Sequence, residues 1–174
     1  MDPLQFRTAT EADIAPLVAL VTRAYRGEAS RAGWTTEADV LDGPRIDPEL
    51  LRADIARPRS RVVVALRGDA LEACAHVADD GGQGYFGMFA VEPVRQGGGT
   101  GRALLGECER IARDEWGLRR MRMSVIDLRG ELIAWYERLG YRRTGEYRPF
   151  PYGDTRFGIP KRDDLRFEVL EKPL

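Results

Sequence analysis

The chain is poor in the residues that build metal centres and disulfide frameworks, with one histidine, His76, and two cysteines, Cys74 and Cys108. Both cysteines stand among apolar neighbours, one in an apparent strand and one in an apparent helix, which predicts buried core thiols rather than a disulfide or a metal site. No stretch approaches the roughly 20 apolar residues of a membrane-spanning helix. The N-terminus, Met1-Asp2-Pro3-Leu4-Gln5-Phe6-Arg7, lacks a basic segment followed by a long apolar one, so a cytoplasmic protein is expected. Positive charge is not in excess, since 27 basic residues stand against 28 acidic ones for a net charge of −1. Nothing is therefore left over to displace counterions from a nucleic acid or to hold an anionic membrane. Lysine is scarce, with Lys161 and Lys172 the only two among many arginines; together with abundant Ala and Gly, this reflects coding composition rather than function. The remainder is ordinary for a globular protein, 43% hydrophobic and 32% charged over 174 residues. That suffices for a self-contained core, and one domain over residues 1–174 is the simplest division.

Hydrophobic periodicity divides the chain into short elements. Leu4 to Arg7 reads as an opening strand. Thr10-Glu11-Ala12-Asp13 is a helix start with an acid three residues after the cap, ahead of Ile14, Leu17, Val18 and Val21. Thr35 or Thr36 is expected to open a second short helix, and Asp47-Pro48-Glu49 a third before Leu50, Leu51 and Ile55. Arg61 to Arg67 and Ala70 to Val77, joined at Gly68-Asp69, predict an antiparallel hairpin. Tyr85 to Val91 is apolar on both faces, as in a central strand. Leu104, Cys108, Ile111, Ala112 and Trp116 predict a long helix near residues 100 to 116, stopped by Gly117. Met121, Met123 and Val125 alternate with polar residues in a strand, and Leu132, Trp135, Tyr136 and Leu139 share the face of another helix, ended by Gly140. Tyr141 to Tyr147 and Leu165 to Leu170 read as the last strands, separated by a Pro- and Gly-rich loop from Pro149 to Pro160. This order predicts an α/β protein with a mixed sheet and helices on both faces.

The most informative segment is Val91-Glu92-Pro93-Val94-Arg95-Gln96-Gly97-Gly98-Gly99-Thr100-Gly101-Arg102, which runs from a buried strand through a glycine-rich turn into a helix. Glycines at 97, 98, 99 and 101 let backbone amides approach an anion closely, and a helix N-terminus adds its dipole. Arg95 and Arg102 flank the turn and can add charge-assisted bonds. The segment lacks the Lys-Ser/Thr ending of an ATP-binding loop, and it is not Gly-x-Gly-x-x-Gly after a first strand, so neither a nucleoside triphosphate nor a Rossmann dinucleotide is indicated. A second constellation follows in Glu131-Leu132-Ile133-Ala134-Trp135-Tyr136-Glu137-Arg138-Leu139-Gly140-Tyr141.

Together, Gln96-x-x-Gly99-x-Gly101 after Val91-x-Pro93, and Tyr136-x-x-x-Gly140-Tyr141, resemble the acetyl-CoA signature and the catalytic helix of the GNAT N-acetyltransferase superfamily. The resemblance spans most of the chain, and its specific part lies between Phe89 and Tyr141. It implies an acyl-CoA N-acyltransferase fold with a mixed, mostly antiparallel sheet of about seven strands, acetyl-CoA as cosubstrate, no metal, and a homodimer. It further implies that the strand Gly87–Val91 bulges and diverges from Met121–Ile126 to admit the pantetheine arm. Backbone groups of Met88, Phe89, Ala90 and Val91 would then pair with pantetheine. Amides of Gln96, Gly97, Gly98, Gly99, Thr100, Gly101 and Arg102 would hold the pyrophosphate, and Tyr136 would face the sulfur. One position departs from the pattern: seven residues before Tyr136, where the family often carries Asn, this chain has Arg129, a residue suited either to a substrate carboxylate or to a solvent-facing loop.

Acetyl transfer to an amine requires a neutral amine, a stabilised carbonyl oxygen and a protonated leaving thiolate. With thiol and phenol reference values of about 8.5 and about 10, Tyr136 is a hydrogen-bond donor to the leaving sulfur rather than a strong acid. Read from periodicity alone, it is a core residue beside Leu132 and Leu139; the glycine turn and the resemblance favour the donor. For the base, His76 has a suitable reference value, Asp127 and Glu72 are weaker candidates, and a water chain serves as well. Tyr25, Trp34, Thr35, Glu37 and Arg45 fall where this fold covers its acceptor. The aromatic and acidic character there suits a cationic amine and equally the surface of an amphipathic helix, and Arg148-Pro149-Phe150-Pro151-Tyr152-Gly153 would form a second wall. The acidic sequence pI and the apparent aromatic pocket favour a small primary amine, with a protein or peptide amine and a non-catalytic CoA-binding module as alternatives.

Overall fold

The computed structural model of the chain covers residues 1–174. Its elements run β1 (Leu4–Thr8), a 3-10 turn (Glu11–Asp13), α1 (Ile14–Tyr25), α2 (Gly27–Ser30), β2 (Leu41–Asp42), α3 (Pro48–Ala56), β3 (Ser60–Arg67), β4 (Ala70–Asp80) and β5 (Gln83–Val91). They continue with α4 (Thr100–Arg110), β6 (Arg120–Ile126), α5 (Gly130–Arg138), β7 (Arg142–Pro149), β8 (Ile159–Pro160) and β9 (Arg166–Pro173). Seven strands form one sheet in the order β1-β3-β4-β5-β6-β9-β7, and β2 and β8 make a small ribbon apart from it. Every pairing in the sheet is antiparallel except β5 with β6.

Side chains on successive strand residues point to opposite faces, and β3 shows how both faces are filled. Val62 and Val64 join Leu17, Leu20 and Val21 of α1 and Leu51 of α3. Val63 and Ala65 instead join Leu104, Leu105 and Cys108 of α4 and Ile133 of α5. The sheet is thus covered by α1 and α3 on one face and by α4 and α5 on the other, which accounts for the two-sided apolar character of β5. Each fully buried Leu here is worth roughly 1.5–3 kcal/mol relative to exposure. Cys74 and Cys108 are free and buried, one in each layer; burial pushes the Cys74 thiol up to about 12.

Local signals set most element boundaries. The Asp13 carboxylate accepts from the Thr10 amide at 2.8 Å and from Arg7, and Asp47 caps α3 by accepting from the Glu49 and Leu50 amides. Gly117 ends the long helix with φ +68° after a last turn that widens, with the Trp116 amide donating to Ile111 at 3.2 Å. The helix expected at Thr35 or Thr36 does not form. Thr36 Oγ1 instead shares a hydrogen bond with Ser30 Oγ and accepts from the Ala38 amide, the side-chain competition that makes Thr a poor helix interior. The short helix lies earlier, in α2, and the chain then turns towards β2. The last strand, β9, continues to Pro173 rather than ending at Leu170, paired along its length with β6.

Candidate active site

The site is opened by a defect in the sheet. β5 and β6 pair only at Gly84↔Met121 and Tyr85↔Arg122, and beyond Tyr85 they separate. On its other side β5 is bulged against β4, the register slipping between Cys74 and His76, where Met88 takes φ +48°. Positive φ is rare for a side-chain-bearing residue and marks a strained position.

Antiparallel pairing turns alternate residues to one neighbour and then the other. Ala90 pairs with Cys74, the Glu92 amide donates to the Glu72 carbonyl, and the Cys74 thiol lies 3.8 Å from the Met88 carbonyl. Phe89 and Val91 therefore direct their backbone groups to the open side. Their carbonyls are already engaged, Phe89 O by the Tyr25 hydroxyl and Val91 O by Gln96 Nε2 at 3.2 Å. What the open edge offers is amide hydrogens. Of the four residues expected to meet pantetheine, Phe89 and Val91 face the gap and Ala90 turns its backbone groups to β4, while Met88 sits in the bulge with its carbonyl 3.8 Å from the Cys74 thiol.

The glycine turn leads from this edge into α4. Gly97 and Gly99 both have φ +87°, and no atom lies within 4 Å of where a Cβ would stand; they are required for backbone torsion. Gly101 has ordinary torsion, but a Cβ there would come to 2.9 Å from Phe89 Cζ and 3.4 Å from Val91 Cγ2; it is required for close packing of α4 on β5. Gly98 lies under neither constraint. No side chain caps α4, so its first-turn amides remain available. The Thr100 hydroxyl does not, because it donates to Glu72 Oε2 at 2.8 Å. Glu72 is buried. Burial works to raise its pKa, but the bonds from Arg67 and Thr100 outweigh that and hold the carboxyl below the usual range, so it is a strut beneath the helix rather than a base.

Gln96 has a role its position in the motif did not reveal. Its side chain spans Val91 O and the Trp34 amide, which donates to Oε1 at 2.9 Å, and a Cβ on Gly33 would land inside its carboxamide. The residue ties the loop after α2 to β5.

Two adjoining cavities result. The first, of about 380 Å³, is lined by Gly97, Gly99, Gly101, Arg95, Arg102 and Trp135 among others. The second, of about 420 Å³, holds Tyr136, Glu37, Arg26, Arg45 and the Arg148–Pro151 wall, with Ser124 of β6 opposite. Tyr25, Phe89, Arg129 and Leu132 line both, at the boundary where the two adjoin. Tyr136 is 3% exposed and packs among Phe86, Phe89, Trp135 and Tyr141. Burial, with a smaller contribution from Tyr25, raises its phenol well above the usual value, so it stays protonated and donates.

Several candidates are relocated by this geometry. Trp34, expected on the acceptor side, lines the first cavity and lies 6.4 Å from the Trp135 ring, which stacks on Phe89. His76 lines neither cavity. It is buried, with Nε2 2.8 Å from Ser60 Oγ and its ring edge against Tyr85, and burial lowers its pKa despite Asp54 nearby. Asp127 is held by Arg166 at 2.6 Å, outside both cavities. Glu37 does line the acceptor side, but it is not a free carboxylate. Arg26 bonds Oε1 and Arg129 bonds Oε2 at 3.0 Å. Burial works to raise its pKa, and Arg129, Arg45 and Arg26 together bring it below the ordinary value. Arg129 also donates to Thr35 Oγ1 at 3.0 Å and lies over the Tyr25 ring, so it is a buried clamp rather than a solvent-facing loop residue. Arg26, adjacent to Tyr25 in sequence, carries no local signal that would have singled it out. No group of three or more His, Cys, Asp and Glu side chains is placed to hold a metal ion, and no helix is long and apolar enough to cross a membrane.

Comparison with known proteins agrees with this geometry. Residues 58–143 match the profile of the acetyltransferase (GNAT) domain. An IAA acetyltransferase of Azospirillum brasilense is 32% identical over 123 residues, covering 69% of this chain and 72% of that protein. The ribosomal-protein-alanine N-acetyltransferase of Brucella melitensis superposes with a TM-score of 0.72 at 22% identity, over 98% of this chain and 99% of that one. The PaiA N-acetyltransferase of Thermoplasma acidophilum, solved in complex with coenzyme A, superposes with a TM-score of 0.71 at 15% identity, over 99% of both chains.

Proposed function

Since the chain belongs to the GNAT acetyltransferase family, we propose that it acts, as one domain over residues 1–174, by moving an acetyl group from acetyl-CoA to the primary amine of a small molecule in a ternary complex. The observation that carries this reading is the pair of adjoining cavities along the open edge of β5, one at an uncapped glycine-rich helix start and the other at a buried tyrosine, with Tyr25, Phe89, Arg129 and Leu132 shared between them. When bound, acetyl-CoA supplies the activated acyl group as a thioester. The features of the chain fit it: anion-binding amides at the start of α4, Arg95 and Arg102 beside them, and free N–H groups on β5.

Each residue then has a role that follows from its position. The first-turn amides of α4 hold the pyrophosphate. The Phe89 and Val91 amides meet the pantetheine arm and the thioester carbonyl, where a preorganised donor stabilises developing negative charge. The Tyr136 hydroxyl donates to the departing sulfur. Trp135, Phe89 and Leu132 exclude water where the two cavities adjoin. The acceptor side holds no free carboxylate or imidazole, so proton removal falls to solvent. The positive surroundings favour this, because neighbouring guanidiniums disfavour an ammonium and help keep the amine neutral.

A small acceptor is favoured because the second cavity is walled by the β7–β8 loop through Phe150 and Phe157 and backed by Tyr136. The test is an acceptor screen with free thiol as readout, using polyamines, amino acids, aminoglycosides and N-terminal peptides. Thiol release with one small amine supports the reading. Release with peptides only replaces the acceptor class, and tight acetyl-CoA binding with no turnover across the panel rejects the enzyme.

A further inference from the structure

The charges of the acceptor cavity do not suit a polycation. Four arginines line it, Arg26, Arg45, Arg129 and Arg148, against one carboxylate, Glu37. Glu37 is consumed by Arg26 and Arg129, and Arg148 reaches out to Glu146. Arg45 differs from the other three. It forms no ion pair with any carboxylate, and it lies 4.9 Å from the centroid of the Tyr25 ring, the ring that Arg129 approaches at 5.3 Å. Tyr25 in turn donates its hydroxyl to the Phe89 carbonyl on the open strand edge. A guanidinium with no carboxylate in ion-pair contact, though near enough to Glu37 to act on its charge, is thereby held on an aromatic platform that is itself hydrogen-bonded to β5.

A planar guanidinium matches a carboxylate through two parallel hydrogen bonds, and an aromatic face beneath it fixes its plane. Apart from Ser124 and the tyrosine hydroxyls, the rest of the lining is apolar, including Phe86, Met88, Met123, Phe150 and Phe167. Building on the acetyltransferase reading, we propose that the acceptor is a primary amine that also carries a carboxylate, an amino acid with an apolar side chain, and that Arg45 binds the carboxylate while the apolar lining takes the side chain. This replaces the cationic amine expected from the sequence around Trp34 and Glu37. Trp34 lies in the other cavity, and Glu37 serves to hold Arg26 and Arg129.

The test compares matched pairs that differ by the carboxylate alone, leucine with isoamylamine and phenylalanine with phenethylamine, alongside spermidine and a C-terminally amidated peptide. The expected result is a kcat/KM at least about tenfold higher for the amino acid of each pair, carried mainly by KM. In Arg45→Ala that ratio should collapse towards one, and Arg45→Lys, which keeps the charge but loses the planar fork, should recover only part of it. A second arm does not depend on acetyl transfer. 3-Phenylpropanoate, which has no amine, should raise the Tm of the wild-type protein and not that of Arg45→Ala, with circular dichroism verifying the fold of each variant. Carboxylate binding without turnover of any amine would overturn the acetyltransferase reading while supporting the anion site. Equal or better turnover of the decarboxylated amines, spermidine or the amidated peptide would overturn the anion site, as would a ratio that Arg45→Ala leaves intact.

Discussion

Gly99 and Gly101 belong to one motif, yet substitution at each should fail for a different reason, and the difference can be measured. At Gly99 the obstacle is torsion: φ is +87° and no atom lies within 4 Å of the position a Cβ would take. A β-branched residue there carries strain of about 1–3 kcal/mol. If the loop relaxes to negative φ to escape that strain, the α4 amides turn away from the anion, and binding must pay to restore them. Gly99→Val should therefore weaken acetyl-CoA binding by roughly 5- to 150-fold, the equivalent of that strain. Asn tolerates the left-handed region, so Gly99→Asn should recover most of the affinity. At Gly101 the obstacle is volume, because a Cβ would stand 2.9 Å from Phe89 Cζ and 3.4 Å from Val91 Cγ2. Overpacking of this kind costs about 1–3 kcal/mol, offset by up to about 1 kcal/mol of helix propensity gained over Gly. Gly101→Ala should therefore lower stability by at most about 2–3 kcal/mol while shifting Phe89 and Val91, whose amides face the gap. Its acetyl-CoA affinity should fall about tenfold, and Gly101→Asn, bulkier still, should be worse. Calorimetric titration with acetyl-CoA, paired with denaturant melts, reads both quantities. Equal behaviour of Gly99→Asn and Gly99→Val, or normal binding by Gly101→Ala, would refute the reasoning.

The other predictions follow from the same geometry. Trp34→Ala should weaken acetyl-CoA binding more than it raises the amine KM, since Trp34 lines the cavity at the glycine turn that is proposed to hold the cofactor; steady-state kinetics with each substrate varied in turn checks this. Gln96→Ala removes the bridge between Val91 O and the Trp34 amide, so the 31–40 segment should lose hydrogen-exchange protection while the core strands keep theirs. Glu37→Gln should destabilise the protein by about 3–5 kcal/mol, because it leaves buried guanidiniums without their counter-charge. The pKa of Glu37 is lowered in the folded state, so below the ordinary value of 4.5 the unfolded chain binds the extra proton first and stability falls with pH. Urea midpoints from neutral pH down through that value should drop less steeply in Glu37→Gln than in the wild type. Asp13 is held down to about 2, chiefly by the Arg7 bond. Because Arg7 is 46% exposed, Asp13→Asn should cost only about 1 kcal/mol at neutral pH.

What could be read from the sequence was what depends on neighbouring residues. The hairpin of β3 and β4, the capped starts of α1 and α3, the glycine turn and Tyr136 on its helix all rest on spacing, caps and backbone torsion within a few residues. The features that escaped depend on distant partners. Gln96 lies inside a recognisable motif, but its side chain engages Trp34, far away in sequence. Glu37 looked like a free acid because the arginines that neutralise it, Arg26 and Arg129, come together only in the fold. His76 looked available as a base, but Ser60 and Tyr85 enclose it on the strand. The missing helix at Thr35 and Thr36 is a nearer case, a hydroxyl pairing between Thr36 and Ser30 that helix propensity does not register.

The central claim is that acetyl transfer takes place where the open edge of β5 meets Tyr136, and single-turnover chemistry tests it most directly. With saturating acetyl-CoA and an amine that the wild-type protein acetylates, Tyr136→Phe keeps the ring among Phe86, Phe89, Trp135 and Tyr141 and removes only the hydroxyl. The chemical rate should then fall by about 10²–10⁴-fold, with acetyl-CoA affinity and thermal stability little changed. A wild-type rate in the Phe variant would show that the buried tyrosine is a core residue and would contradict the claim.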